Sequence, residues 1–398
     1  MIVTLALIVF WFSVGLMFHS YALYPLLLRL FATGKKQNDV TYPLTDEELP
    51  DVYVVFAVYN EERVIREKLE SLFNTNYPPN KLKVYIGSDN SSDATNGIVQ
   101  EFAALHPQLV FYPYKDRNGK AKILNRLVDE IKSKGHSANA VFVFTDANVF
   151  FTPTTLFELA RHFRNTGIAQ VAANILNKGV RADGISHQEK SYIQRENHVK
   201  YLEGLNWGSM MGAFGACYAM RANAWTDIPA NYLMEDFYLS MHILKGGGKA
   251  IMELNAVCYE DVSNEVEEEY KRKVRIQAGN FQNLGVYWPL LFRFNAVAFC
   301  FLSHKVIRWL GPVFILLAYV ANICLLPVGS FYLFTFVAQN LLLLSPIIDK
   351  GLKQLGVHLV ILRFASYFYI MNFALVKGFV MYMQGVKTSA WNPTKRNV

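Results

Sequence analysis

The chain has 398 residues, of which 52% are hydrophobic and 18% charged, with a mean hydropathy of +0.16 and a formal net charge of +7. This is too apolar for an ordinary cytosolic enzyme and leaves room for one sizeable soluble domain plus several membrane helices, so an integral membrane protein is expected. The positive balance does not read as nucleic-acid binding, because the basic residues are scattered and the densest group, Lys271, Arg272, Lys273 and Arg275, adjoins a hydrophobic stretch. Anionic lipid or diphosphate is the expected partner. The four cysteines show no Cys-x-x-Cys spacing and the nine histidines no His-x-x-x-His pair, so neither a disulfide framework nor a zinc site is indicated.

In chain order, Ile2 to Phe31 is nearly uncharged and reaches roughly the 20 apolar residues of a spanning helix, giving an N-terminal anchor over 1–32. Lys35 and Lys36 follow at once, which by the positive-inside rule places the next domain in the cytosol. From Val52 the pattern alternates. The run Val52 to Val58 is a continuous apolar strand of the kind buried in a parallel sheet, followed by an amphipathic helix to about Phe73. Further strands are predicted at Leu82 to Ile86, Leu109 to Tyr112 and Val141 to Phe144, with helices at Asp93 to Ala104 and Gly119 to Ile131. Such alternation implies right-handed strand-helix-strand units, an α/β domain over 33–285 whose ligands sit beyond the carboxyl ends of the strands. An interfacial helix is expected over 286–306, because Pro289, Arg293 and Asn295 interrupt the apolar run, and transmembrane helices with a tail over 307–398. The spanning candidates there are Ile307 to Leu326, Gly329 to Pro346 and Val357 to Met381. Three crossings would leave Lys387, Lys395 and Arg396 outside, against the charge rule, so either the last segment is re-entrant or interfacial, or the count differs by one.

Short signatures follow the predicted strands. Asn60-Glu61 comes after the first, Ser88-Asp89-Asn90-Ser91-Ser92-Asp93 after the second and Asp146-Ala147-Asn148 after the fourth; Asn118-Gly119-Lys120 opens a helix and Glu235-Asp236 comes later. Read singly, each has a plain structural use: a helix start, a turn, a strand-end cap or a solvated lysine. In this order they resemble the membrane-anchored family 2 glycosyltransferases of the GT-A type, a group that includes cellulose, hyaluronan and poly-N-acetylglucosamine synthases and ceramide glucosyltransferases. The resemblance covers about residues 50 to 290.

It implies a Rossmann-like GT-A domain with a mostly parallel sheet, and a role for each signature. Asn60 and Glu61 would line the uracil pocket; Asp89 would meet the base or ribose, and Asp93 would cap the next helix. Asn90 stands where the family has glycine, a mild change, since asparagine tolerates the left-handed conformation. Lys120 would lie beside the diphosphate at a helix N-terminus. Asp146 and Asn148 would hold Mg2+ or Mn2+ through oxygen ligands, with asparagine in place of the second aspartate removing one charge. Asp236, beside Glu235, would be the general base of an inverting transfer. Phe214, Gly215 and Arg272 would face the acceptor, and Arg275 the diphosphate. Processive synthases carry Gln-x-x-Arg-Trp at the last position; Arg272 and Ile276 here replace the glutamine and the tryptophan, and isoleucine offers no aromatic stacking face. The expectation is therefore single transfer of a sugar from a UDP-sugar donor to a lipid or saccharide acceptor, by a multi-pass enzyme of the cell membrane with a cytoplasmic catalytic domain. A processive polysaccharide synthase and an inactive nucleotide-sugar-binding subunit working with a synthase partner stay open as alternatives.

Overall fold

The structure, a computed structural model, describes residues 1–36, 48–179, 186–261, 265–357 and 359–391. The first apolar segment forms α1 (Ile2–Phe18) and α2 (Tyr24–Phe31), joined by a wide helical turn at His19–Leu23. Pro25 explains the widening: it has no N–H to give to the preceding turn, and its ring needs room there.

The soluble domain then alternates: β1 (Val52–Val58), α3 (Ile65–Phe73), β2 (Leu82–Asp89), α4 (Thr95–Leu105), β3 (Leu109–Tyr114), α5 (Lys120–Ser133), β4 (Val141–Thr145) and β5 (Val149–Phe151). Next come α6 (Thr155–Ala160), β6 (Ile168–Lys178), α7 (Ser186–Trp207), β7 (Cys217–Arg221), α8 (Glu235–Lys245) and β8 (Lys249–Asp261). The strands make one sheet in the order β3-β2-β1-β4-β7-β6-β8-β5. Pairs β1–β2, β1–β4, β2–β3 and β6–β8 are parallel, whereas β7 and β5 run antiparallel to their neighbours. The four predicted strands and three predicted helices are present, each within a few residues of its expected limits. Every residue of β1 is buried, as expected of a strand covered on both faces. Ile65, Leu69 and Leu72 of α3 pack with Val54, Phe56 and Val58 in the main core.

Beyond the sheet lie α9 (Val266–Tyr287), α10 (Ala296–Cys300), α11 (Ile307–Trp309), α12 (Gly311–Leu325), α13 (Ser330–Leu343), α14 (Ser345–Gln354) and α15 (Val360–Met383). The expected interfacial helix over 286–306 is not one helix. A tight turn at Trp288–Phe292, where Pro289 stands, precedes a separate helical run that begins at Ala296. Among the described residues three helices are long and apolar enough to cross a membrane, Ile2–Phe31, Gly311–Val328 and Val360–Met383; α13 and α14 pass that test only together and are bent by 53°. Pro346 supplies the break.

The chain packs as two compact units. One holds Met1–Leu30, Glu265–Phe294 and Ala298–Gly385; the other holds the described residues of Phe31–Asn264, Asn295–Val297 and Val386–Val398. In the first, Ala6 and Phe10 of α1 bury against Ala318, Ala321 and Leu325 of α12, while Ile2, Leu5, Leu316 and Val320 face outward. In that unit α9 lies along α15. The helix at 265–285 therefore clusters with the apolar helices, upstream of the domain limit expected at 285. In the second unit the C-terminal residues Val386 to Trp391 pack on the α/β domain.

Candidate active site

Two loops at the carboxyl ends of β1 and β2 are tied together by side chains. Asn60 and Asn90 both adopt left-handed backbone, with φ of 51° and 63°, so Asn90 does what glycine would do. The Asn60 amide donates to Ser91 Oγ (3.1 Å) and Asn60 Oδ1 accepts from the Ser92 amide (2.8 Å). The Glu61 amide donates to Thr95 Oγ1 (2.8 Å). Asp93 accepts from the amides of Thr95 (3.0 Å) and Glu62 (3.1 Å), so it joins the two loops as well as opening α4.

Asp89 is fully buried, and the segment ahead of α5 meets its carboxylate. The Asn118 amide donates to Oδ1 (2.5 Å), the Gly119 amide to Oδ2 (3.1 Å), and Arg117 Nε lies 3.7 Å from Oδ2. Gly119 has φ +82°, and a Cβ there would come 2.5 Å from Ser389 Oγ. Arg117 is stacked 3.2 Å above the Tyr59 ring and donates to the Trp391 carbonyl at 2.6 Å. Ser389 Oγ in turn donates to the Ala230 carbonyl (2.9 Å). The tail thus closes over the start of α5. Sequence reasoning missed it; a lone tryptophan in a polar stretch after the last apolar segment was the available signal.

Lys120, the first residue of α5, reaches Asp146 Oδ1 at 2.7 Å and Glu235 Oε1 at 2.6 Å. Burial pulls the ammonium's pKa down, but the two carboxylates outweigh it and hold it above its ordinary value. Glu235 and Asp236 begin α8, where free amides favour negative charge. The Phe237 amide donates to Asp236 Oδ1 (2.7 Å). Even so, burial first and Glu235 second push the Asp236 carboxyl up to about 6, against the opposing pull of Lys120, that amide and Lys200. Gly215 leaves room beside it, since a Cβ there would sit 3.0 Å from Asp236 Oδ2. Phe214 carries the Lys200 ammonium 3.3 Å above its ring. Tyr218, also missed, is buried on β7 with a hydroxyl that has no hydrogen-bond partner among the described residues. Burial and the fields of Glu235, Asp236 and Asp146 raise its pKa well above the ordinary value.

Asp146 and Asn148 occupy the turn between β4 and β5. Asn148 Nδ2 donates to Glu260 Oε1 (3.3 Å), and the Asp146 amide to the Ala216 carbonyl (3.2 Å). Asp146 and Glu235 converge on one ammonium, so this spot already accepts a positive charge between oxygens, and an all-oxygen set suits Mg2+ or Mn2+. Among the described residues no group of three or more His, Cys, Asp or Glu converges to hold a metal. An ion there would share its coordination with ligands from outside the protein. Asp236, Glu235, Lys120 and Asp146 are thereby brought together from three separate elements. Arg272 and Arg275 lie on α9, in the other compact unit, where Arg272 forks onto Glu269 at 2.9 and 3.0 Å.

Comparison with known proteins bears on the family and the fold. The profile of Glycosyl transferase family 2 matches residues 53–225, and that of Glycosyl transferase family group 2 matches residues 141–381, more than half of the chain. The chain is 38% identical over 82 residues to the probable glycosyltransferase YdaM of Bacillus subtilis, covering 20% of each protein. It is 26% identical over 249 residues to the beta-monoglucosyldiacylglycerol synthase of Synechocystis, covering 60% of this chain and 50% of that one. It thus spans half or less of the length of these curated relatives. In fold it is similar to the mannosyltransferase PcManGT from Pyrobaculum calidifontis, solved with GDP-Man and Mn2+: the TM-score is 0.69 at 20% identity, over 97% of this chain and 100% of that one. With the family signatures in order, an α/β sheet presenting them at its strand ends, and family profiles running through both, the chain belongs to the family 2 glycosyltransferases.

Proposed function

We propose that this protein is a metal-dependent, inverting hexosyltransferase that moves one sugar from a UDP-sugar to a membrane lipid acceptor. The observation that carries the reading is the convergence of Asp236, Glu235, Lys120 and Asp146. Asp236 is the base: a buried carboxylate with a pKa near 6 is ionised at neutral pH and still basic enough to take a proton in the transition state. The acceptor hydroxyl oxygen bonds to the anomeric carbon as the bond from that carbon to the diphosphate oxygen breaks, and the hydroxyl proton passes to Asp236. Attack opposite the leaving group inverts the configuration. Asp146 and the side-chain oxygen of Asn148 would hold a Mg2+ or Mn2+ ion, which when bound neutralises charge on the diphosphate. Lys120 supplies a second cation at the N-terminus of α5. Phe214 and Gly215, which has no side chain to crowd the Asp236 carboxylate, border the acceptor side. The lipid acceptor is supported by the relatives named as monoglucosyldiacylglycerol synthases and by Ile276, where a stacking residue for a growing chain is missing.

The same reading includes a topology. Val386 to Trp391 pack on the α/β domain, so the tail and the domain share one side of the membrane, and the segments between them cross an even number of times. Gly311–Val328 and Val360–Met383 make those two crossings, and the bent pair α13 and α14 enters without crossing. Lys387 is then on the positive, cytosolic side, as the charge rule asks; Lys395 and Arg396 lie outside the described residues.

The test is nucleotide release by detergent-solubilised protein with extracted lipid, from a panel of UDP-sugars and GDP-mannose, with Mn2+ or Mg2+. Metal-dependent release from one UDP-hexose, abolished in Asp236→Asn and Asp146→Ala, is the expected result. Release only from GDP-mannose would overturn the donor assignment, and ladders of oligosaccharide product would overturn single transfer. UDP binding without any turnover would turn the reading to an inactive subunit.

A further inference from the structure

Lys68 is a buried charged residue that the proposed transfer leaves unused. It stands in the inward stripe of α3, between Ile65 and Leu69, and its side chain is fully buried. Its ammonium donates to Thr145 Oγ1 at 3.0 Å and to the Val149 carbonyl at 2.5 Å, and lies 3.8 Å from the centroid of the Phe151 ring. Among the described residues no carboxylate pairs with it. Burial lowers its pKa to about 8, which measures how poorly the core solvates the charge; Asp146, with Cys217 and Cys258, partly offsets that.

An unpaired buried cation is costly, and a methionine or leucine at this position would fill the same space without that cost. What the lysine adds is geometric. Thr145 is the last residue of β4 and Val149 the first of β5, so one ammonium grips both ends of the three-residue turn that carries Asp146 and Asn148. From the other side the turn is held by Ala216, whose carbonyl accepts from Thr145 Oγ1 (2.9 Å) and from the Asp146 amide. The Lys68 charge also interacts electrostatically with Asp146, whose carboxylate meets Lys120 at 2.7 Å.

We infer that Lys68 is a positioning residue for the donor site: its buried ammonium clamps Thr145 and Val149 so that Asp146 and Asn148 are presented together to the cation that accompanies the diphosphate. The inference rests on the donor reading above. It separates from ordinary core packing because function and stability respond differently. Lys68→Met keeps the length and the apolar fit while removing the charge and both hydrogen bonds, so the fold survives with a Tm within about 5 °C of wild type.

The experiment is Mn2+ binding to the purified full-length protein with UDP present, read by the electron paramagnetic resonance of free Mn2+, together with the Tm of each variant. In Lys68→Met, Mn2+ affinity falls at least tenfold and donor KM rises in step. Mn2+ affinity and KM within twofold of wild type in a folded Lys68→Met overturns the inference and leaves the donor reading standing. No Mn2+ binding by the wild type overturns that reading and this inference with it. If Lys68→Met does not fold, Thr145→Val, which removes one of the two acceptors, decides: a several-fold loss of Mn2+ affinity supports the clamp and an unchanged affinity overturns it.

Discussion

Lys120 and Asp146 come from the first turn of a helix and the end of a strand, yet their charged atoms lie 2.7 Å apart, and the same ammonium lies 2.6 Å from Glu235. One cation therefore bridges two carboxylates, and its field also tempers the third, Asp236. Lys120→Met should leave the acids facing each other unpaired. The expected loss of stability is about 2–3 kcal/mol, below the value for breaking a fully buried pair because Asp146 is still 37% exposed. Denaturant titration checks this; a stability within about 0.5 kcal/mol of wild type would mean that the pairing contributes little.

The Asp236 carboxyl, pushed up to about 6 from an ordinary 3.8, sets the pH behaviour. In its proposed role as the base it would work ionised, so kcat/KM should rise as pH increases through about 6 and level off near neutrality. Stability runs the other way. Between pH 3.8 and about 6 the folded state binds more protons than the unfolded one, so this group's contribution falls as pH rises, by up to about 3 kcal/mol for a shift of about two units. Asp236→Asn should lose turnover by roughly 10²–10⁴-fold while gaining stability at neutral pH relative to wild type. An Asn variant destabilised at pH 7 would contradict the assigned strain.

Among the described residues the buried hydroxyl of Tyr218 has no hydrogen-bond partner. Tyr218→Phe should be neutral or stabilising by about 1 kcal/mol, since it removes an unsatisfied buried group. If the hydroxyl meets the donor or the acceptor, kcat/KM should fall roughly tenfold, the value of one hydrogen bond to a reacting complex. An unchanged kcat/KM would assign Tyr218 to the core alone.

The tail contact depends on Gly119. Its φ of +82° and the closeness of Ser389 Oγ leave no place for a methyl group, so Gly119→Ala should detach the segment at Val386 to Trp391. Trypsin cleavage after Lys387 should then become several-fold faster than in wild type. Trp391→Ala, which removes a ring lying 5.7 Å from the Arg117 guanidinium, should move cleavage in the same direction. Equal cleavage rates in all three proteins would show that the contact does not persist in solution.

The proposed even number of crossings between domain and tail makes a topological prediction. A reporter fused after Val398 and one inserted within the α/β domain should fall on the same side of the membrane. A thiol reagent confined to the opposite side should reach neither. Reporters on opposite sides would require α13 and α14 to span.

Much of the fold was legible in the residues because its signals are local. A seven-residue apolar run such as Val52–Val58 can only be buried on both faces, and the polar signatures at the ends of β1, β2 and β4 necessarily share one edge once those strands pair in parallel. Asp89 and Asp146 fall at that edge, whereas Lys120 and Asp236, read from the family resemblance, stand at the starts of α5 and α8. What the sequence could not decide was set by packing between distant segments. Periodicity marks residue 68 as inward-facing but does not say that a lysine there finds two acceptors at a turn. Hydropathy alone treats Gly329 to Pro346 as one straight span, whereas the structure bends the chain by 53° between α13 and α14 and returns Trp391 to Arg117. Composition and spacing determine which surfaces must be buried and which end of the sheet carries the polar groups. Charge placement to within hydrogen-bond distance, and the pKa values that follow from it, depend on contacts between segments far apart in sequence, such as Lys68 with Thr145 and Lys120 with Glu235, which only the tertiary structure supplies.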